Sequence, residues 1–337
     1  QKTKLINAPA AGAAPQGKMA GAFAASGNAI VGHTAASLDN SGATGKTVTT
    51  ANEIHTDAAD QSLLVSVVGS AAIAQGKSAD TSSTADTTNT TNTTNSTNTT
   101  GKTGTVSQKS SAEAALARLS GSVASKAASR KTADTASTAL NSNLTNSLSQ
   151  KAGSQGTGIG AAAGVNVVEN TVDAYVGDNT KVNGSAVSTT ADGSLTAVTI
   201  AAGGAYAGKT GAAGALNVNV IGEQVNASIG AGASVNATKE DVSLQAANDL
   251  TVVGIAGALG VGGTNGVGGG ANAEVIHTDT EAVTGEGSSV TAADDIDIKA
   301  DSKERVTTVA AAGASGSSVA AAGAINGNVM NTTTRAA

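Results

Sequence analysis

Four asparagines stand three residues apart at Asn89, Asn92, Asn95 and Asn98, and each opens an N-x-[ST] triplet. The amide of such a triplet accepts an N-linked glycan where the surrounding backbone is accessible. Further triplets begin at Asn143, Asn183, Asn226, Asn236 and Asn331. A spacing of three suits a left-handed extended helix that carries every Asn on one face. The same triplets also arise by composition in a solvated linker, and no apolar residue occurs from Asp86 to Thr103. Both readings stay open: a glycan-bearing loop at Asn89, Asn92, Asn95 and Asn98, or a plain polar connection.

Other residues able to do chemistry group less well. Glu240, Asp241, Asp249, Asp294, Asp295, Asp297 and Asp301 offer the hard oxygens that calcium prefers. The calcium-binding β-roll needs an Asp within a GGxGxDx phrase, and GVGGTNGVGGG from Gly260 has none. Polar corners that keep a stacked fold soluble account for these acids. Paired carboxylates also cleave glycosidic bonds, but sugar clefts use aromatic platforms and the three aromatics, Phe23, Tyr175 and Tyr206, are scattered. His33, His55 and His277 have no H-E-x-x-H spacing and no ordered triad partners. GIGAAAG from Gly158 approximates a dinucleotide loop, yet it recurs as a repeat element with no βαβ unit behind it. No G-x-S-x-G nucleophile phrase occurs. The expectation is a chain that is no enzyme, with no catalytic, cofactor or metal site.

Composition narrows the elements that could hold such residues. The chain has 337 residues, 43 Gly, no Trp and no Cys. Without Cys there is neither a disulfide scaffold nor a thiolate metal site. An interior of Ala, Val, Ile and Leu suits a narrow core of many thin layers. A net charge of −6 spread over 13% charged residues leaves no basic track for a phosphate backbone, so no nucleic-acid partner is expected. No apolar run reaches the length of a spanning helix.

Texture divides the chain. Residues 1–20 show no period and read as a leader or cap. Residues 21–74 read as a first repeat, 75–109 as a Thr/Asn-rich loop, 110–157 as a helical hairpin, and 158–337 as further repeats. The hairpin follows from Leu116, Leu119 and Val123, and from Leu140, Leu144 and Leu148, spaced three and four apart. An insertion between two matching strand phrases should leave one corner and return beside it, because loop length itself costs little.

The repeats decide the fold. One phrase is written as GVNVVENTVDAYVG from Gly164, ALNVNVIGEQVNASIG from Ala215, ANAEVIHTDTEAVTG from Ala271 and AINGNVMNTTTRA from Ala324. Aligning Ala174, Ala227, Ala282 and Ala336 gives steps of 53, 55 and 54 residues. Such periods mark stacked, quasi-one-dimensional folds. Inside each repeat the hydrophobic period is two, which predicts about four or five short strands separated by Gly-Asp-Asn or Ala-Asp-Asp turns. The spacing places Leu216, Val218 and Val220 on one face with Val225, Ala227 and Ile229. It points Val167, Val218, Val220, Ile229, Val242, Leu244, Ile296 and Ile298 into the core. The predicted class is all-β, a parallel β-helix (solenoid) of ~54-residue repeats with an α-helical hairpin insertion.

GALNVNVIGEQVNASIGAGASVNATKEDVSLQAANDLTVVGIAGA from Gly214, with copies on either side, resembles the repeat region of large filamentous adhesins of the haemagglutinin type. Leukotoxin-like filamentous exoproteins are related to these. The resemblance covers residues 21–74 and 158–337. Such adhesins are exoproteins secreted by a two-partner route, and the resemblance implies a right-handed coil and an extracellular or cell-surface location. It also implies adhesion to a host or neighbouring cell, and glycans on N-x-[ST] triplets. The function expected is a structural shaft segment of such an adhesin. The alternative is a filament subunit that stacks end to end on copies of itself.

Overall fold

A computed structural model describes residues 1–14, 17–39, 47–74 and 156–337. Strands β1 (Lys2–Asn7) and β2 (Ala10–Ala13) open the chain. A long, a short and a second long strand follow as β3 (Met19–Leu38), β4 (Thr47–Thr49) and β5 (Ile54–Ala74). The same triplet recurs as β6 (Thr157–Val176), β7 (Lys181–Gly184) and β8 (Val187–Ala207). It recurs again as β9 (Thr210–Ile229), β10 (Ser234–Ala237) and β11 (Val242–Gly262). The last copy is β12 (Asn265–Thr284), β13 (Ser289–Thr291) and β14 (Ile296–Ser315), followed by β15 (Val319–Ala336).

Every pairing is parallel and joins equivalent strands of successive repeats. Sheet A runs β1-β5-β8-β11-β14, with β2 also on β5; sheet B runs β3-β6-β9-β12-β15; sheet C runs β4-β7-β10-β13. The chain is thus an all-β parallel coil. Ala36, Ala174, Ala227, Ala282 and Ala336 pair in one column, so one repeat is one turn. The turn holds three strands, two of them 20 or 21 residues long, where the sequence reading expects four or five short ones. The Gly/Ala runs that read as links are in fact strand. Their inward glycines face backbone across the core: a Cβ on Gly160 would overlap the Gly204 carbonyl, and one on Gly268 the Gly313 carbonyl.

This close approach makes the cross-section a wedge. Where sheet C closes the triangle, the core is Val, Ile, Leu and Ala, with Val182, Ala191, Val235 and Leu244 among its buried members. A middle cluster of Ile30, Leu64, Val168, Leu195, Ile221, Leu250 and Ile276 lies between sheets A and B. Beyond it the core is mostly alanine, with Ala24, Ala162, Ala201 and Ala256 beside Val68. Glycine then brings the sheets together. The inward side chains at the glycine end are therefore small, as packing against a narrowing gap requires. A separate cluster of Val65, Val67, Val198, Ile200, Val253 and Ile255 sits on the outer side of sheet A and is also buried.

Corner chemistry repeats with the turns. Between sheets B and C, Asn179, Gly232 and Gly287 take φ of 54°, 65° and 70°, the left-handed conformation that Gly and Asn tolerate best. Between sheets A and B, two residues suffice: Gly208 and Lys209 join β8 to β9. The equivalent corner after β5 carries residues 75–155. Ala74 and Gly156 still adjoin, since a Cβ on Gly156 would lie 2.9 Å from the Ala74 Cβ.

Several expectations change. No helix occurs among the described residues. The hairpin expected over 110–157 lies outside them up to residue 155, as does the 75–109 loop, and Thr157 already opens β6. Residues 2–7 and 10–13, read as leader or cap, pair with β5 as a further layer of sheet A. The face assignment also inverts over part of sheet B. Val220 is 39% exposed and Val167 and Val218 are half-buried, while Asn166 and Asn219 are buried. Ile229, Val242 and Leu244 are buried as expected. Ile298 packs partly on the core, and Ile296, in register with Val242 on the outermost turn, is 49% exposed. In an unbroken strand, residues 216, 218 and 220 cannot share a face with 225, 227 and 229, because the side-chain period is two.

Candidate functional site

The inverted segment builds the most chemically distinctive feature of the molecule, a polar seam through the core. Register stacks Asn28, Asn166, Asn219, Glu274 and Asn328 in sheet B, with Asn217, Asn272 and Asn326 two residues earlier. Along the stack, Asn28 Nδ2 donates to Asn166 Oδ1 and Asn166 Nδ2 to Asn219 Oδ1, both at 2.7 Å. Asn219 Nδ2 donates to Glu274 Oε1 and Asn217 Nδ2 to Asn272 Oδ1, both at 2.8 Å. Across the core, Asn217 and Asn219 also donate to Thr199 Oγ1 at 2.8 and 2.7 Å. Asn28 reaches Ser66 Oγ at 2.9 Å, and Asn326 and Asn328 reach Thr308 Oγ1 at 2.6 and 2.9 Å. Asn28, Asn217 and Asn219 thus each spend one hydrogen along the stack and one across it, which is how a buried amide avoids its desolvation penalty.

One turn departs from this plan and compensates. Glu274 stands in the column of Asn219, and Gly254 in that of Thr199. A Cβ on Gly254 would overlap Glu274 Oε1. The longer acid fits because the residue facing it has no side chain. Burial pushes the Glu274 carboxyl up to about 7, against the opposing pull of bonds from Asn219 and Asn272.

A second polar layer lies nearer sheet C. Asn170 Nδ2 donates to Asp60 Oδ2 at 2.6 Å, and Ser62 Oγ donates to the same oxygen at 2.7 Å. In the next turn Glu223 is 1% exposed, and neither of its oxygens has a hydrogen-bond partner. Burial pushes its carboxyl up to about 8, with Asp60, Glu304 and Asp249 adding repulsion. Asn248 alongside offsets part of that rise, although its amide atoms also lack a partner within hydrogen-bond geometry. Thr278 Oγ1 donates to Glu304 Oε1 at 3.1 Å one turn further on. Asp60, Glu223 and Glu274 are buried, and Glu304 on the outermost turn is half-buried. Burial holds Glu223 and Glu274 toward their protonated forms inside the core.

The residues singled out in the sequence do not converge. Asn89, Asn92, Asn95, Asn98 and Asn143 lie outside the described residues. Asn183, Asn226, Asn236 and Asn331 sit in paired strands β7, β9, β10 and β15, and Asn236 Nδ2 contacts Asn183 Oδ1 at 3.4 Å. His33, His55 and His277 are exposed on three different strands, each 3.0 Å from a single carboxylate: Asp173, Glu53 and Asp279 respectively. GIGAAAG is interior to β6, and its Gly158 and Gly160 face the carbonyls of sheet A, so it is no phosphate loop.

The acids separate as well. Asp249 pairs with Arg305 at 3.0 Å and Asp301 with Lys299 at 2.9 Å. Asp241, Asp294 and Asp295 do gather within 4.8 Å at an exposed corner, where the Asp295 N–H also donates to Asp241 Oδ1 at 2.8 Å. Phe23, Tyr175 and Tyr206 stand on β3, β6 and β8 and make no common platform. Sequence reasoning missed the seam, although Asn recurring between aliphatics at one repeat's spacing was its visible trace. No helix among the described residues is long and apolar enough to cross a membrane. No family model, no curated protein and no solved structure matches this chain.

Proposed function

We propose that the chain is a structural shaft segment of a secreted or surface-held bacterial filamentous adhesin, serving attachment by holding binding parts away from the cell. The observation that supports this reading most is the stack itself. One repeat makes one turn, every column keeps its register, and the buried amides hydrogen-bond from turn to turn. That arrangement suits load transmitted along an axis. The buried acids face no cleft, so the reading assigns the chain no catalytic role.

Antibodies raised against the purified chain test the proposal on intact producing cells. Immunogold should decorate filaments at the surface of unpermeabilised cells, and the antibody should lower attachment to host or neighbouring cells. Labelling that appears only after lysis sinks the reading. Filaments that grow from the purified chain alone would favour the end-to-end subunit instead.

A further inference from the structure

The outer face of sheet B carries an uninterrupted apolar field. It spans five outward positions on each of five strands, from Gly21 and Ala29 on β3 to Ala321 and Val329 on β15. Every one of these positions is Gly, Ala, Val, Leu, Ile or Phe. Thr157, Thr210 and Asn265 lie before it on β6, β9 and β12, and Glu169, His277 and Asn331 beyond it on β6, β12 and β15, while Met19, Val31, Gly222 and Val319 complete the border. At strand and rung spacings the field covers roughly 800 Å². Monomers rarely expose contiguous apolar patches beyond a few hundred Å².

Two observations say that the single chain leaves this field open and shaped for a partner. Its Val165 and Leu216 are 44% and 42% exposed, whereas Val65 and Ile255, outward on sheet A, are 1% and 2% exposed. Gly214, Gly269 and Gly323 form one column of the field, and a Cβ on any of them would meet nothing within 4 Å. The fold itself therefore does not require glycine there. Glycine weakens a strand and often marks the close approach of another backbone. Over β9, β12 and β15 this column is a furrow, continued by Ala161 and Phe23 on β6 and β3, and in the next column Leu216 and Ile325 stand out among Ala25, Ala163 and Ala271.

We infer that this face packs against the same face of a second copy, pairing two coils side by side. A two-fold axis parallel to the stack, placed between these two columns, sets each Leu216 over the partner copy's furrow at Gly214. Four of the five columns then face each other, and each copy buries about 600 Å², at the small end of standard interfaces. A self-complementary patch is what a two-fold contact needs. The field has no polar side chain to bind a glycan, and its acidic and neutral rim does not attract anionic lipid. The contact is independent of the shaft reading and holds whether or not the chain belongs to an adhesin.

Sedimentation velocity on the full chain at micromolar concentrations tests this pairing. The wild type should sediment at twice the chain mass. Leu216→Lys, at the centre of the field, should sediment at the chain mass with an unchanged circular-dichroism spectrum and melting midpoint. The chain has no Cys, so single cysteines locate the contact. A short bis-maleimide should link Gly214→Cys into dimers and leave Gln224→Cys, outside the rim, unlinked. A monomeric wild type, or a Leu216→Lys dimer, overturns the inference. So do equal linking at both cysteines and monomer floating with neutral phosphatidylcholine vesicles.

Discussion

Glu223→Gln should convert a pH-dependent stability into a flatter one. The Glu223 carboxyl has a value of about 8 in the folded chain against 4.5 when solvated. Between those limits the folded state keeps a proton that the unfolded state has released. Stability therefore falls as pH rises through that window, is unaffected by this group below 4.5, and carries the full penalty above 8. A shift of this size corresponds to about 5 kcal/mol, a large share of the stability of an ordinary domain. Other groups titrate in the same range, so the informative quantity is the difference between variant and wild type. Urea unfolding across that pH range should show the two nearly equal at the acid end. The Gln variant should become more stable by several kcal/mol at the alkaline end. A difference that does not change with pH refutes the reasoning, because it would mean that Glu223 is solvated or paired in the folded state.

Four further outcomes follow from the packing. Gly254→Thr should destabilise by about 1–3 kcal/mol through overlap with Glu274. Adding Glu274→Asn, which copies the Thr199–Asn219 pair of the previous turn, should recover much of that loss in a double-mutant cycle. Asn166→Ala should cost about 1–3 kcal/mol by stranding the amides of Asn28 and Asn219, measured by denaturant unfolding. Replacing residues 75–156 with Gly-Lys recreates the Ala207-Gly208-Lys209-Thr210 corner between Ala74 and Thr157. The shortened chain should keep its strand spectrum and one cooperative thermal transition. Gly160→Val should abolish that cooperative transition, since sheet A leaves no room beside the Gly204 carbonyl.

The repeat length and the period of two were enough to place a parallel stacked coil and to align the alanine column at Ala174, Ala227 and Ala282. They were not enough to count strands per turn. A corner and a small-residue strand use the same letters, and the Gly-rich run after Ile200 differs from a link only through the backbone it faces. Alternation likewise marks two faces without saying which is inside. In 215–220 the polar set is buried, because Asn219 has partners one turn above, one turn below and across the core, and Asn217 has them one turn away and across it. Those partners are about one repeat away in sequence for the stack, and 18 or 20 residues away for Thr199. The candidate site stayed hidden for the same reason: Asn217 and Thr199 are unremarkable until register brings them together.

The long strands also set how the coil responds to force. A turn of ~54 residues advances the stack by only ~4.8 Å, where an α-helix of equal length would reach ~80 Å. The chain thus builds breadth in place of reach, with strands of 20 residues lying across the axis. At ~3.3 Å per residue the slab is ~66 Å wide, roughly threefold its thickness for two sheets ~10 Å apart with their outer side chains. Resistance to bending grows with the square of that ratio when equal sections are compared, so edgewise and flatwise stiffness differ by about tenfold on the same spacings. A coil of this section is a strap: it yields out of its plane, as when laid along a surface, and resists sway within it.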